Sequence, residues 1–140
     1  MRKIKFRGWD ASGEKGWVFG DLVHNQRVTA TGLRPRVMVG GYEVLPESVG
    51  QYTGLKDLYG REVYEGDIVY MDGMPEEKRV VVFYEEAFNI ATRAELECLR
   101  KGEHPYMNDY AHMTCLNEWS NTGLVRAIGN IYRNPELLNM

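Results

Sequence analysis

The 140 residues predict a mainly β fold, α+β only at its margins. The expected architecture is a small SH3-like partial β-barrel with an N-terminal hairpin and a short helix near residues 92–101. Three observations carry this. Apolar residues alternate with polar ones in several short runs, the period of a strand. The 15 glycines are about a tenth of the chain, above the usual roughly 7%, and they sit between those runs. Residues 49–69 hold two apolar stretches around a turn, with Gly50, Gly54, Gly60 and Gly66 at the bends. Glycine permits backbone shapes there that other residues resist.

Taken in order, Ile4, Phe6 and Gly8 alternate with Lys3, Lys5, Arg7 and Trp9, giving a first strand with one buried face. Residues 10–16 are rich in Gly, Ser and charge and read as a turn. Residues 17–24 form a returning strand. Residues 27–31 and 36–39 are weaker strands, since Pro35 and Gly40-Gly41 interrupt them, and one should lie at an edge or in a long loop. Pro46-Glu47-Ser48 reads as one helical turn or a bend. Residues 51–55 and 62–64 pair around a five-residue connection ending in Gly60, a position that needs positive φ. Glu65-Gly66 kinks the chain into a strand at 67–71, and Asp67 can accept a backbone N–H to lock that bend. After a turn at 72–75, residues 78–84 return; the run Val80-Val81-Val82-Phe83 implies burial on both faces. Glu85-Glu86-Ala87 turns the chain into a strand at 88–91. A helix follows from about Thr92 to Arg100, capped by Thr92 with Glu95 three residues on, and stopped by Gly102. Residues 104–113 read as loop, 114–119 as a helical turn, and 125–132 as the last strand, ended by Asn134-Pro135. No repeat, low-complexity tract or linker divides the chain, so a single domain over 1–140 is expected.

Charge and composition narrow the function. The formal net charge is −3, which disfavours nucleic acid as a partner, because phosphate binding normally needs a basic surplus. No apolar stretch approaches the roughly 20 residues that cross a bilayer, and no apolar segment follows the basic N-terminus as in a secretory signal. Two cysteines do not make a disulfide framework, so the expected location is the cytoplasm, with no membrane partner and both thiols reduced.

Three blocks then resemble the YopX-like proteins of phages and prophages. They are Ile4-Lys5-Phe6-Arg7-Gly8-Trp9-Asp10, the 49–69 stretch, and Ile128-Gly129-Asn130-Ile131-Tyr132-Arg133-Asn134-Pro135-Glu136-Leu137-Leu138. The family usually has Ala where this chain has Gly8. The resemblance implies a small, mostly β protein in a bacterial host, with no assigned activity and no catalytic residues to carry over. Residues 24–48 and 85–124 match nothing in it.

The candidate chemistry is sparse. Gln51, Tyr52, Thr53, Tyr64 and Tyr132 form a candidate aromatic and polar groove of the kind that binds peptides. Cys98, His104, His112 and Cys115 are all zinc-ligand types. They lack the closely spaced pair that a zinc knuckle needs, and Cys98 falls on the apolar side of the expected helix. His104, Asp109 and His112 are an acid–base set only if they converge. The serines lie in no nucleophile elbow, and no phosphate loop or dinucleotide fingerprint is present. The expectation is therefore a non-enzymatic protein without cofactor that binds another protein or itself, as a homo-oligomer. One alternative is nucleic-acid binding, preferring single strands, through Arg2, Lys3, Lys5, Arg7, Arg34 and Arg36 with Trp9 and Trp17. The other is a small metal-dependent hydrolase built on residues 98–115.

Overall fold

The computed structural model describes residues 3–74, 76–103, 114–116 and 125–139. The fold is mainly β, as the alternation requires. Its strands form three antiparallel sheets, with one short helix, and among the described residues they do not close into a barrel. The chain divides into two compact units, Met1–Gly54 and Leu55–Met140.

In the first unit, β1 (Phe6–Trp9) pairs antiparallel with β2 (Trp17–Gly20) across the expected 10–16 turn. Asp10 organises that turn: its carboxylate accepts from the Ser12 hydroxyl at 2.8 Å and from the Lys15 N–H at 3.1 Å. The first strand begins at Phe6, so Ile4 lies outside it and is exposed, contrary to the alternation. Gly8 marks a close approach of β1 to Val44. A Cβ there would sit 2.8 Å from Val44, so Val44 fills the space an alanine methyl would need.

The expected strand at 17–24 is in fact two. The chain breaks at Asp21 and enters β3 (Leu22–Thr29), which pairs along its whole length with β4 (Gly32–Val39). A Cβ at Gly40 would run into the Phe19 carbonyl, so only glycine fits where the end of β4 meets β2. The two weak strands expected at 27–31 and 36–39 are thus one continuous hairpin. Pro35 lies inside β4, opposite Gln26. It is tolerated because the next strand, β5 (Tyr42–Val44), pairs only with Val37, Met38 and Val39. Where Pro35 sits, β4 is an edge. Beyond β5, Pro46–Ser48 makes the expected single 3-10 turn. Its buried Ser48 hydroxyl accepts from the Trp9 N–H at 2.7 Å, tying the turn to β1. Val18, Val39 and Val44 form this unit's core, with Phe6, Leu22, Val37 and Val49 packed on it.

The strand β6 (Gly50–Lys56) carries the chain into the second unit, where residues 57–61 turn it into β7 (Glu62–Tyr64). The kink at Glu65-Gly66 is locked as expected, with the Tyr64 N–H donating to Asp67 at 2.8 Å. Then β8 (Asp67–Met71), β9 (Arg79–Tyr84), β10 (Ala87–Ala91), β11 (Thr114–Cys115) and β12 (Val125–Asn130) form a five-stranded sheet in the order β11-β10-β9-β8-β12. Its centre is covered on both faces. Val69, Val81, Ile90, Leu116 and Val125 pack on one side, and Ile68 and Val80 meet Leu96 on the other. Burial of the 80–83 run is narrower than expected: Val80 and Val81 are buried, whereas Phe83 is exposed and pairs edge-on with Phe88.

The helix α1 (Arg93–Arg100) has the expected capping box, with Thr92 and Glu95 exchanging bonds of 3.2 and 2.9 Å. It ends as Gly102 dictates: the Gly102 N–H reaches the Leu99 carbonyl and the Glu103 N–H reaches that of Cys98, a Schellman pair. The helical turn expected over 114–119 is corrected at its first two residues; Leu116 is helical, and 117–119 lie outside the described residues. Thr114 and Cys115 are a strand, because their backbone completes the edge of β10 opposite Ile90 and Asn89. The last strand stops at Asn130 rather than 132. Asn130 accepts from the Arg133 N–H at 2.8 Å and turns the chain toward the 3-10 segment Pro135–Asn139.

Candidate functional site

The groove expected from residues 51–64 and 132 divides between the units. Gln51, Tyr52 and Thr53 lie on β6 in the first, Tyr64 and Tyr132 in the second. Tyr52, Thr53 and Tyr64 are buried, and Gln51 and Tyr132 are half-buried. The Tyr52 and Tyr64 rings supply packing surface.

Of the ligand-type cluster, Cys98 is a half-buried free thiol on α1. Cys115 is placed by its backbone in β11. His104, Asp109 and His112 lie outside the described residues. Among the described residues no three His, Cys, Asp or Glu side chains gather to hold a metal.

Arg7 alternates with the residues expected on the buried face of the first strand, yet it is covered too. Arg7 is buried and lies over the Trp17 ring at 4.6 Å, while Trp17 meets Trp9 edge-on at 5.3 Å. Lys5 lies over Tyr52 at 5.5 Å. These cations are held against their own aromatic neighbours. Arg2 lies outside the described residues. Arg34 and Arg36 are elsewhere, on the β3–β4 hairpin.

That hairpin is the most exposed element of the first unit. Eight residues per strand make a ribbon about 27 Å long, and almost all of its outer part faces solvent. Residues directly opposite in an antiparallel pair point to the same face. Leu22, Val37 and Val39 are on the face that packs on the core, and the same face runs outward through His24, Gln26 and Pro35 to Val28 and Leu33. Val28 and Leu33 face each other at the tip and are 81% and 62% exposed. The opposite face holds Asn25 beside Arg36 and Arg27 beside Arg34. Arg27 reaches Glu43 of β5 at 3.3 Å, and Arg36 donates to Asn25 at 2.7 Å.

Two further surfaces lie in the second unit. The 57–61 turn is pinned by buried Asp57, which accepts from the N–H groups of Tyr59, Arg61 and, far along the chain, Ala127. Tyr59 thereby stands against Arg126 at 5.0 Å, with Tyr70 on the same guanidinium at 5.7 Å and Asp72 at 3.1 Å. Asp72 pushes the Arg126 pKa further up. Sequence reasoning missed this cluster, because Arg126 meets Tyr70 through β8–β12 pairing and Tyr59 through the Asp57–Ala127 bond, both between residues far apart in the chain. Beside α1, a depression of about 170 Å³ is lined by Arg93, Leu96, Arg100 and Leu138. That is below the roughly 300 Å³ at which ligand pockets begin, and Arg93 is paired with Glu97.

A family model described as YopX protein matches residues 5–139. The chain belongs to the YopX family. The match spans nearly the whole chain, including stretches that the three sequence blocks leave out. The YopX-family fold seen here is similar to the crystal structure of protein EF1440 from Enterococcus faecalis. That likeness has a TM-score of 0.53 and 21% identity over 99% of each chain, and speaks for the fold alone. No curated protein matches. No helix among the described residues is long and apolar enough to cross a membrane.

Proposed function

We propose that this YopX-family chain is a non-enzymatic phage or prophage accessory protein. It works in the cytoplasm of a bacterial host by self-association through the β3–β4 ribbon. The observation that carries the reading is the exposed Val28–Leu33 pair, outermost on a face whose inner end is core. A two-stranded ribbon is marginal in water without further packing. Here the apolar row of β4, Val39, Val37, Pro35 and Leu33, continues beyond the body that supports it, and β3 is the outer strand of the β3-β4-β5 order. Such an edge is a template for another strand. A second copy of the chain offers the same row in the same register, so an isologous contact covers both tips at once.

Light scattering across a concentration series tests this. The expected result is a dimer mass for the wild-type protein and a monomer mass for the Val28→Ser/Leu33→Ser variant. A wild-type protein that stays monomeric at the highest concentration would sink the proposal.

A further inference from the structure

We infer that the other face of the ribbon, carrying Arg27, Arg34 and Arg36, binds double-stranded DNA through its phosphates. This goes beyond the self-association proposed above, which uses the apolar face.

The register places all three arginines on one face. Arg27 and Arg34 are directly opposite, and like charges so placed destabilise a sheet. Among the described residues nothing offsets both: Glu43 meets Arg27, and Arg34 has no acidic partner. An added polyanion would turn that repulsion into attraction. The contacts of Arg27 and Arg36 each engage one nitrogen of a guanidinium with five N–H donors, so both can also hold phosphate.

Net charge does not oppose this once it is divided by unit. Up to Gly54 there are eight Lys and Arg against five Asp and Glu, a surplus of +3; from Leu55 there are nine against fifteen, −6. The chain's total of −3 conceals a basic first unit. Charge asymmetry of this kind is what nucleic-acid contact leaves in a sequence.

The shape of the element selects the form of nucleic acid. The major groove of B-DNA admits a two-stranded ribbon. The major groove of A-form RNA is too deep and narrow for side chains to read. Single strands are held largely by stacking on aromatic rings, and neither β3 nor β4 contains Phe, Tyr or Trp. The Trp9 and Trp17 rings meet each other edge-on instead. Duplex DNA is therefore the occupant, bound by its backbone.

The test is fluorescence anisotropy on a labelled random duplex of about two helical turns, titrated from about 50 to 200 mM salt. Binding should be present at the low end, and log K should fall against log salt with a slope of about −2.7 per chain, for three phosphate contacts. Arg34→Gln should make that slope shallower by about 1. Arg27→Gln/Arg34→Gln/Arg36→Gln should abolish the shift. Glu43→Gln, which releases Arg27, should tighten binding. Circular dichroism establishes that each variant is folded. Val28→Ser/Leu33→Ser should still bind DNA as a monomer, which separates this inference from the self-association reading. Absence of binding at the lowest salt would overturn the inference. So would an unchanged slope in Arg34→Gln, weaker binding by Glu43→Gln, or equal affinity for a single strand.

Discussion

Arg27 and Arg34 face each other across β3 and β4, two like charges in directly opposed positions at the outer end of a two-stranded ribbon. Like charges so placed destabilise a sheet. Arg34→Thr should therefore stabilise the protein by about 0.2–1 kcal/mol, the scale of a cross-strand pair. Urea denaturation reads this as a higher midpoint with unchanged slope. A lower midpoint would mean that Arg34 supports the fold.

Glu85 and Glu86 join β9 to β10 with φ of 49° and 67°. Two successive positive values make a type I′ turn, which favours Asn-Gly. Neither glutamate is suited to it, and each such residue stores strain. Glu85→Asn/Glu86→Gly should raise stability by about 1 kcal/mol, seen in thermal or urea unfolding. The Tyr84 hydroxyl titrates above its usual value because of burial and the neighbouring Glu85 charge. The same double variant should move that titration back down, followed by ultraviolet absorbance.

Gly8 and Val44 occupy one space between them. Gly8→Ala puts a methyl within 2.8 Å of Val44 and should cost about 1–3 kcal/mol as overpacking. Val44→Ala made in the Gly8→Ala background should recover part of that loss. A double-mutant cycle with no coupling would show that the strand, rather than Val44, yields.

Asp57 holds three backbone donors, one of them at Ala127. Asp57→Ala leaves those N–H groups without their acceptor and should cost about 3 kcal/mol. Hydrogen exchange should lose protection at Ala127 as well as in the turn itself, since Asp57 is the acceptor for both.

Asp10 titrates below the ordinary 3.8, chiefly because Ser12 donates to it and Lys15 adds a backbone N–H. A carboxylate with a lowered folded pKa gives stability that is complete above its unfolded value and is lost as pH falls through the folded one. Acid should therefore weaken the 10–16 turn below about pH 4. In Asp10→Asn the dependence of stability on pH in that range should be shallower. An unchanged acid limb would remove Asp10 from the account.

Much of this was legible from neighbours a few residues apart. The Asp67 lock, the Thr92–Glu95 box, the Gly102 stop and the Gly60 turn each depend on local backbone angles and on partners within five residues, so residue type alone specifies them. The misses share a different cause. Pro35 reads as a strand breaker, yet its cost depends on whether another strand lies beside it, and β5 stops short. Arg7 reads as solvated, yet its surroundings come from Trp17 on the facing strand. Tyr59 and Arg126 meet because Asp57 accepts a bond from Ala127, 70 residues away.

By itself the amino-acid order determined that this chain is mostly strand, where most of it turns, and which family it resembles, since those follow from short-range sterics and from motif. Only the tertiary structure decided that three arginines share one face of a solvent-exposed ribbon while its apolar row runs from the core to the tip. That placement depends on strand register, and a shift of one residue would exchange the two faces.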